Sequence, residues 1–263
     1  METIARKTQI LRPVGILVSA NSEAALSPIG QAPSGPLLNI LETYSKLLKK
    51  ELGQHYYGLV VRGSASRGTF VRGFSDLDLV ILSTSRKNEE LLTTLDELID
   101  TTFLDLEWIA PNSLQTSPKY KWLRFSIAFS SYGIDADGVL EALPAPTLGG
   151  HAIAHFNAVE KWASRWPVYF AEAETEAERQ RVCSWIMKRI VRALFEAKML
   201  EHNAYSRDIY PCALQACKDF PHLTSTIWEA AELAVAPVGN FEVISNLTDT
   251  LIPFLISLQD NQQ

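Results

Sequence analysis

Apolar and polar residues alternate in two different ways along the chain. In the first half, residues 37–52 and the later stretch "NEELLTTLDELIDT" carry apolar residues at helical spacing, and the first of these ends at Gly53. Three shorter apolar runs, "YYGLVVRG", "SDLDLVILS" and "FLDLEWIAP", have the length and composition of strands. The stretch "WLRFSIAFSSYGI" fits either a fourth strand or a short helix. This half therefore predicts a small α/β domain.

From about residue 151 the strand-like runs largely disappear, and segments with helical periodicity take their place. The stretch "LPAPTLGG" at residues 143–150 is the predicted linker, because Pro and Gly interrupt regular structure. The residues ahead of the first helix are rich in Ser, Ala, Gly and Pro, which is typical of an arm. We therefore predict an α+β protein with an arm over residues 1–36, an α/β domain with a mixed sheet over 37–148, and an all-helical bundle over 149–263.

Composition and charge narrow the class of protein. The chain of 263 residues is 47% hydrophobic and carries a net charge of −6, which argues against a broad nucleic-acid or membrane-surface footprint. Three cysteines without a CxxC pair (Cys183, Cys212 and Cys217) indicate free thiols in a reducing compartment. His151 and His155 have the spacing of helical zinc ligands but lack an evident third ligand, so we expect them to pack instead.

No part of the sequence indicates a secretory signal or a membrane anchor. No secretory signal is visible, and no apolar run approaches the ~20 residues of a membrane span. We therefore expect a cytoplasmic protein without a membrane or nucleic-acid partner. The oligomeric state stays open.

Two aspartates at the start of an apolar strand are the most unusual feature of the sequence. Asp76 and Asp78 are separated by one residue, and a strand points alternate side chains to the same face, so both are expected to project together. Two half-buried carboxylates repel each other unless a cation or a proton compensates them. Asp105 and Glu107 share a face of a later strand, so three or four carboxylates would converge if the strands were neighbours. Such a cluster suits Mg²⁺, which binds carboxylate oxygens together with substrate phosphates, and can hold two metal ions.

A Gly-Ser turn precedes the two aspartates. Gly63 and Ser64 directly follow a predicted strand, and a glycine there lets the backbone approach a phosphate closely. Adjacent backbone N–H groups and the serine hydroxyl can hold phosphate oxygens. Arg67 and Gly68 extend the turn, and neither a Walker-type loop nor a GxGxxG motif is present. The combination predicts a triphosphate site beside the carboxylates, to which Arg67 contributes.

The stretch "VVRGSASRGTFVRGFSDLDLVIL" resembles the signature of the nucleotidyltransferase superfamily, which has the DNA polymerase beta-like fold. The resemblance implies that Gly63 and Ser64 hold the nucleoside triphosphate. It also implies that Asp76 and Asp78 bind Mg²⁺ as catalytic metal ligands.

The family has a third carboxylate on a later strand, and both Asp105 and Glu107 match its setting. We prefer Asp105, as a metal ligand or as a base, because Glu107 lies closer to the end of the strand. A small catalytic domain followed by a helical bundle also resembles the bacterial aminoglycoside adenylyltransferases, in which the acceptor binds between the two domains.

This resemblance implies an Mg²⁺-dependent transfer of a nucleoside monophosphate, AMP from ATP or another nucleotide, to a hydroxyl of a small molecule such as an aminoglycoside. A protein or tRNA acceptor, or a nucleotide-sensing module without turnover, are the alternatives.

Two groups in the helical half complete the predicted site. Lys188 and Arg192 are four residues apart on a helix and are predicted to contact the triphosphate, or alternatively to form a solvated basic face with Glu196 as a partner. Tyr205 and Asp208, in a polar and aromatic stretch, are predicted to line an acceptor pocket. For Asp208, capping of the next helix is a second, compatible prediction.

Overall fold

The computed structural model describes residues 13–70, 75–85, 89–98 and 104–261. The chain divides into two compact units. We call Ala25–Thr147 the sheet unit, and Leu148–Gln263 together with residues 13–24 the helical unit. The described part of the predicted arm is therefore divided, because residues after Ala24 pack with the sheet and the earlier ones with the helices.

The sheet unit contains a mixed sheet, as predicted. Its described strands have the spatial order β4-β3-β2-β5, in which β2 runs antiparallel to both β3 and β5 while β3 and β4 are parallel. A separate two-stranded pairing joins β1 to β6 in the helical unit. The strands are β1 (Val18–Ser19), β2 (Tyr56–Arg62), β3 (Leu77–Ser83), β4 (Leu104–Ile109), β5 (Ser131–Ile134) and β6 (Ala204–Tyr205).

Helices cover the sheet and make up most of the second unit. The described helices are α1 (Pro36–Leu52), α2 (Gly63–Ser66), α3 (Glu89–Leu98), α4 (Pro111–Thr116), α5 (Lys121–Phe129), α6 (Asp137–Leu140), α7 (Val159–Ala163), α8 (Trp166–Glu172), α9 (Glu176–His202), α10 (Ile209–Asp219), α11 (Thr224–Val235) and α12 (Phe241–Asp260). Single 3-10 turns lie at Gly53–His55, Pro118–Tyr120, Phe156–Ala158 and Pro221–Leu223.

The strands of the sheet unit are apolar on both faces, since side chains alternate between the faces and helices cover both. On the first face, α1 packs over the strands, and the buried residues there include Leu41, Tyr44, Leu48, Leu59, Val61, Leu77, Leu79 and Ile81. On the second face, α4 and α5 pack over a cluster that includes Val60, Val80, Leu82, Ile109, Leu114, Leu123 and Ile127.

The predicted elements of the first half are confirmed. Helix α1 ends where Gly53 adopts a φ of 53°, a left-handed value that favours glycine. The stretch that fitted either a strand or a helix contains both, because α5 is followed directly by β5. Within the predicted arm, β1 pairs with β6 through Val18 and Tyr205.

The helical unit is organised around α9, which is 27 residues long. Thr175 and Glu178 form a capping box at its start, and Asn203 ends it in a left-handed conformation with a φ of 49°. Residues 151–158 of the predicted helical bundle form turns, the last of them the 3-10 turn Phe156–Ala158, before α7 begins. The cysteines are free, as predicted, with Cys183 and Cys212 buried.

Helix α12 differs from the expectation that no apolar stretch approaches the length of a membrane span. Among the described residues it is long and apolar enough to cross a membrane by length and composition. The sequence pattern hid this because Glu242 and Asp249 interrupt the apolar run. Its buried residues recur every three or four positions, as in a helix that packs one face against a bundle: Ile244, Leu247, Leu251 and Leu255.

Candidate active site

Three charged residues lie side by side at one end of the second face of the sheet. Arg62 ends β2, Asp78 is the second residue of β3, and Asp105 is the second residue of β4. The register pairs Arg62 with Asp78 and Asp78 with Asp105. Arg62 Nη1 lies 3.2 Å from Asp78 Oδ1, and Arg62 Nη2 donates to Asp105 Oδ2 at 3.0 Å. One guanidinium therefore joins two carboxylates, and we call these three residues the charged row.

The charged row becomes more exposed from β2 to β4. The exposed fraction of the side chain is 9% for Arg62, 21% for Asp78 and 57% for Asp105. Arg62 Nε is buried and has no hydrogen-bond partner among the described residues. Sheet alternation explains this position, since the three residues continue the face that carries Val60 and Val80 to the edge of the core. The carboxylates are thus anchored by the core while remaining accessible to solvent.

Gly63 brings the predicted triphosphate turn against the charged row. Its φ is +73°, and a β-carbon at this position would overlap Asp78 Oδ2, so the close approach requires glycine. The turn continues as α2, in which the Ser64 carbonyl accepts the Thr69 N–H at 3.0 Å. Ser66 Oγ donates to the Ser130 carbonyl at 2.8 Å and ties α2 to the start of β5. The structure thus places the Gly-Ser turn directly beside Asp78.

Electrostatics distinguish Asp105 within the charged row. Partial burial raises the pKa of Asp105; Arg62 opposes this rise, whereas the negative charges of Asp78 and Glu107 add to it. A carboxylate with a raised pKa is a better proton acceptor than an ordinary one.

The other two predicted carboxylates, Asp76 and Glu107, do not belong to the charged row. Asp76 is exposed and directly precedes the first residue of β3, and its place in the site stays a prediction. Glu107 pairs in register with Val80, two residues further along β4. In the described parts of the chain, no three His, Cys, Asp or Glu side chains form a group that could hold a metal as they stand. The structure joins Asp78 and Asp105 through Arg62, and the convergence of three or four carboxylates stays a prediction.

Of the basic residues predicted to bind nucleotide, Arg67 directly follows α2, while Lys188 and Arg192 lie on α9 of the helical unit. Lys188 and Arg192 are both half-buried, and Arg192 Nε donates to the Arg207 carbonyl at 3.1 Å. Glu196, the partner named in the alternative of a solvated basic face, is buried, which argues against that alternative.

The two residues predicted to line an acceptor pocket are also buried in the helical unit. Tyr205 is fully buried in β6, which does not favour contact with a ligand. Asp208 stands at the N-cap position of α10, but its side chain makes no capping hydrogen bond there. Asp208 Oδ2 instead accepts the N–H of Ile16 at 3.3 Å, so it fastens the arm to the helices.

Sequence reasoning missed a buried network in the helical unit. Glu196 Oε2 accepts the backbone N–H groups of His155 and Phe156 at 2.7 and 2.9 Å, and Glu196 Oε1 lies 2.8 Å from His155 Nδ1. Arg207 Nη1 lies 3.4 Å from His155 Nε2. Burial lowers the pKa of His155 to about 4. The negative charge of Glu196 opposes this shift, and the positive charge of Arg207 adds to it. These backbone bonds also explain why His155 lies in a turn, since Glu196 satisfies N–H groups that a helix would otherwise pair.

Sequence reasoning also missed Arg62. The available signal was a charged residue at the end of an otherwise apolar strand. Arg62 is two residues after Val60, so its side chain lies on the same face of the sheet as the buried Val60.

Comparisons with known proteins agree with this geometry. The family described as "Nucleotidyltransferase domain" matches residues 42–117, a stretch that contains the whole charged row and the Gly-Ser turn. The structure of spectinomycin adenyltransferase AAD(9) from Enterococcus faecialis, with ATP and spectinomycin, matches with a TM-score of 0.55 and 12% sequence identity. The match covers 83% of this chain and 98% of that chain. Among curated proteins, none matches the sequence significantly.

These findings support the resemblance to the nucleotidyltransferase superfamily. Residues 42–117 match the nucleotidyltransferase domain, which supports a transferase of the nucleotidyltransferase class. Its α+β fold, a mixed sheet followed by helices, is like that of the aminoglycoside adenylyltransferase AAD(9).

Nucleotidyltransferases of this fold generally use divalent metals, and the donor set of the charged row fits such an ion. Asp78 and Asp105 offer carboxylate oxygens, which are the ligands that Mg²⁺ prefers. The pair already accommodates one positive charge, that of Arg62, between neighbouring strands. The residues present are therefore compatible with a divalent cation at this edge of the sheet.

Proposed function

We propose that the protein transfers a nucleoside monophosphate, AMP from ATP, to a hydroxyl of a small molecule in an Mg²⁺-dependent reaction. The observation that carries this proposal is the pairing of Asp78 and Asp105 at adjacent positions of β3 and β4, with Gly63 against Asp78. The nucleotidyltransferase match spans these residues, which supports their assignment to nucleotide chemistry.

The proposed roles follow from the position of each residue. Asp78 and Asp105 would hold Mg²⁺, with Asp76 as a further ligand from the segment before β3. When bound, Mg²⁺ neutralises charge on the triphosphate and on the leaving pyrophosphate. Gly63 and Ser64 would bind triphosphate oxygens through the backbone and the serine hydroxyl.

The transfer is a substitution at the α-phosphorus of ATP. The acceptor hydroxyl oxygen forms a bond to that phosphorus, the bond to the bridging oxygen breaks, and pyrophosphate leaves. The hydroxyl proton passes to a carboxylate, which we assign to Asp105, with Glu107 as the alternative. The register of Asp105 beside Asp78 supports this preference.

We propose that residues 149–263 supply the contacts to the acceptor. This half is net negative, which suits a polycation such as an aminoglycoside. Arg67 would contact the triphosphate, and the nucleotide contact predicted for Lys188 and Arg192 stays a prediction from the sequence. Tyr205 and Asp208, both buried in this structure, stay the residues predicted for the acceptor pocket. The cytoplasmic location expected from the sequence is part of the same proposal.

The test is release of pyrophosphate from each of the four nucleoside triphosphates, with a panel of aminoglycosides and spectinomycin as acceptors. We expect release that requires both Mg²⁺ and an acceptor, and a product heavier by one nucleoside monophosphate. Asp78→Asn should lower turnover by about 10³-fold, because the stabilisation that a metal supplies is worth several kcal/mol. Asp105→Asn should lower turnover far more than Glu107→Gln, if Asp105 is the third carboxylate.

Other outcomes of the same screen would contradict the proposal in defined ways. Transfer of label to a protein or to tRNA in a cell extract, with no small-molecule product, would change the acceptor class. Binding of ATP without pyrophosphate release from any acceptor would indicate a nucleotide-sensing module.

A further inference from the structure

Arg62 occupies a place in the charged row that the proposed reaction does not use. Its guanidinium meets Asp78 Oδ1 and Asp105 Oδ2, while nine-tenths of its side chain is buried. Its Nε is buried without a hydrogen-bond partner in the described parts of the chain. The carboxylates proposed to hold the metal are therefore also the groups that balance the charge of a buried arginine.

We infer that Arg62 competes with the divalent metal for Asp78 and Asp105, and thereby sets the metal affinity of the nucleotide-free protein. This inference rests on the proposed function, because it concerns the metal of that same site. Two cations that share the same carboxylates repel each other. Asp78 Oδ1 and Asp105 Oδ2 cannot turn fully toward a metal while the first is paired with the Arg62 guanidinium and the second accepts its N–H.

The rival role for Arg62 is to orient the carboxylates for the metal. Side chains that support metal ligands are commonly carboxylates, carbonyls or water, which increase the basicity of the ligand. Arg62 instead lowers the basicity of both carboxylates, because it brings a full positive charge and draws both of them to one guanidinium. Without a cation, two carboxylates at adjacent register positions would repel each other. Arg62 therefore acts in the nucleotide-free protein as an internal substitute for the metal charge.

The triphosphate offers Arg62 another anionic partner. Arg62 directly precedes Gly63, so its backbone adjoins the turn proposed to bind the triphosphate. A guanidinium matches phosphate oxygens as well as it matches carboxylates. We therefore expect nucleotide to draw Arg62 away from the carboxylates, so that metal binds more tightly in its presence.

The test measures Mn²⁺ binding by electron paramagnetic resonance, with and without a non-hydrolysable ATP analogue. Arg62→Met should bind Mn²⁺ about tenfold more tightly than the unaltered protein in the absence of nucleotide, a change of the size found for groups that contact metal ligands. Arg62→Lys, which keeps the charge but loses the fork, should be intermediate. The analogue should tighten Mn²⁺ binding less in Arg62→Met than in the unaltered protein.

Arg124→Met is the matched control, because Arg124 is a half-buried arginine of the same unit whose Nη1 donates to the carbonyls of Leu114 and Gln115. It removes the same charge without touching the carboxylates and should leave Mn²⁺ affinity unchanged. Circular dichroism checks folding, and Arg62→Lys carries the test if Arg62→Met does not fold.

The outcomes separate this inference from the proposed function. Equal or weaker Mn²⁺ binding by Arg62→Met overturns the competition and leaves the transferase proposal standing. An absence of Mn²⁺ binding in every variant, with or without the analogue, overturns the competition together with the metal assignment. Tighter binding by Arg62→Met supports the competition even when no acceptor yields pyrophosphate.

Discussion

The charged row of the sheet unit and the buried network of the helical unit both place an arginine near acidic partners, but they differ in access to solvent. In the charged row, the Asp105 side chain is 57% exposed. In the network, the Glu196 side chain is 2% exposed, and His155 and Arg207 are 11% and 12% exposed. An exposed carboxylate can exchange its partner for a ligand, whereas an enclosed carboxylate is committed to the fold.

The number of fixed bonds shows the same difference. Glu196 accepts two backbone N–H groups and one ring nitrogen, so its oxygens are fully used inside the helical unit. Asp78 and Asp105 share one guanidinium between them. A buried charge with all its bonds made stabilises a structure, while a half-exposed pair is the arrangement found at sites of chemistry. Substitution in the network should therefore affect stability, and substitution beside the charged row should affect turnover.

The largest expected effect is the loss of stability on Glu196→Ala. This change leaves two buried N–H groups and the charge of Arg207 without their carboxylate, so the free energy of unfolding should fall by about 3 kcal/mol. Urea denaturation measures it. Glu201→Ala is the control on the same helix, because Glu201 is 62% exposed and pairs only at the surface with Lys198. Its loss should stay below about 0.5 kcal/mol. If Glu196→Ala and Glu201→Ala lost similar amounts of unfolding free energy, the buried network would be no more important for stability than a surface ion pair.

The sheet unit was largely predictable from sequence because its signals are local. An apolar run of strand length, a helical repeat ended by Gly53, and the Gly-Ser turn each report on their own neighbourhood. To predict the pairing of Asp78 with Asp105, it is enough to know that β3 and β4 are parallel neighbours. A helix between two strands, here α3, is the usual connection of a parallel pair.

The roles of Arg62 and Glu196 could not be predicted, because each depends on contacts that are distant in sequence. Arg62 meets Asp105 across 43 residues, and Glu196 meets His155 across 41. Helical periodicity placed Glu196 on α9 but could not say which of its sides is enclosed, since α9 is buried against several neighbours. The sequence shows that a charge is present, and only the fold shows whether it is solvated.

The next effect concerns the approach of Gly63 to the charged row. Gly63→Ala places a methyl group on Asp78 Oδ2 and forces the carboxylate to move. Pyrophosphate release should fall by about 10²-fold, since a displacement of about 1 Å at a reacting centre has that effect.

Gly53→Ala is the matched control for this change, because Gly53 also has a positive φ but nothing lies within 4 Å of the added carbon. Both variants should lose about 1 kcal/mol of stability from the left-handed backbone. Only Gly63→Ala should lose turnover. Equal turnover in the two variants would show that the contact with Asp78 has no part in the reaction.

The smallest effect is a dependence of stability on pH that the helical unit contributes through His155. Burial lowers the pKa of His155 from its ordinary value of 6.5 to about 4, so between these values the unfolded chain binds a proton that the folded chain rejects. The stability contributed by neutral His155 is therefore present above pH 6.5 and is lost as the pH falls toward 4. The free energy of unfolding should drop by about 2 kcal/mol from this group between pH 7 and pH 4.5.

His155→Gln isolates this contribution, since glutamine keeps a hydrogen-bond donor near Glu196 but does not titrate. The variant should be less stable than the unaltered protein at pH 7, and the gap should narrow by about 2 kcal/mol at pH 4.5. Urea denaturation at both pH values measures the two gaps. Arg192 and Arg207 also face His155 and keep their charge throughout this range, so they oppose protonation of the ring at both values. A difference in free energy of unfolding that is the same at both pH values would contradict this prediction. It would mean that His155 binds a proton as readily in the folded chain as in the unfolded chain.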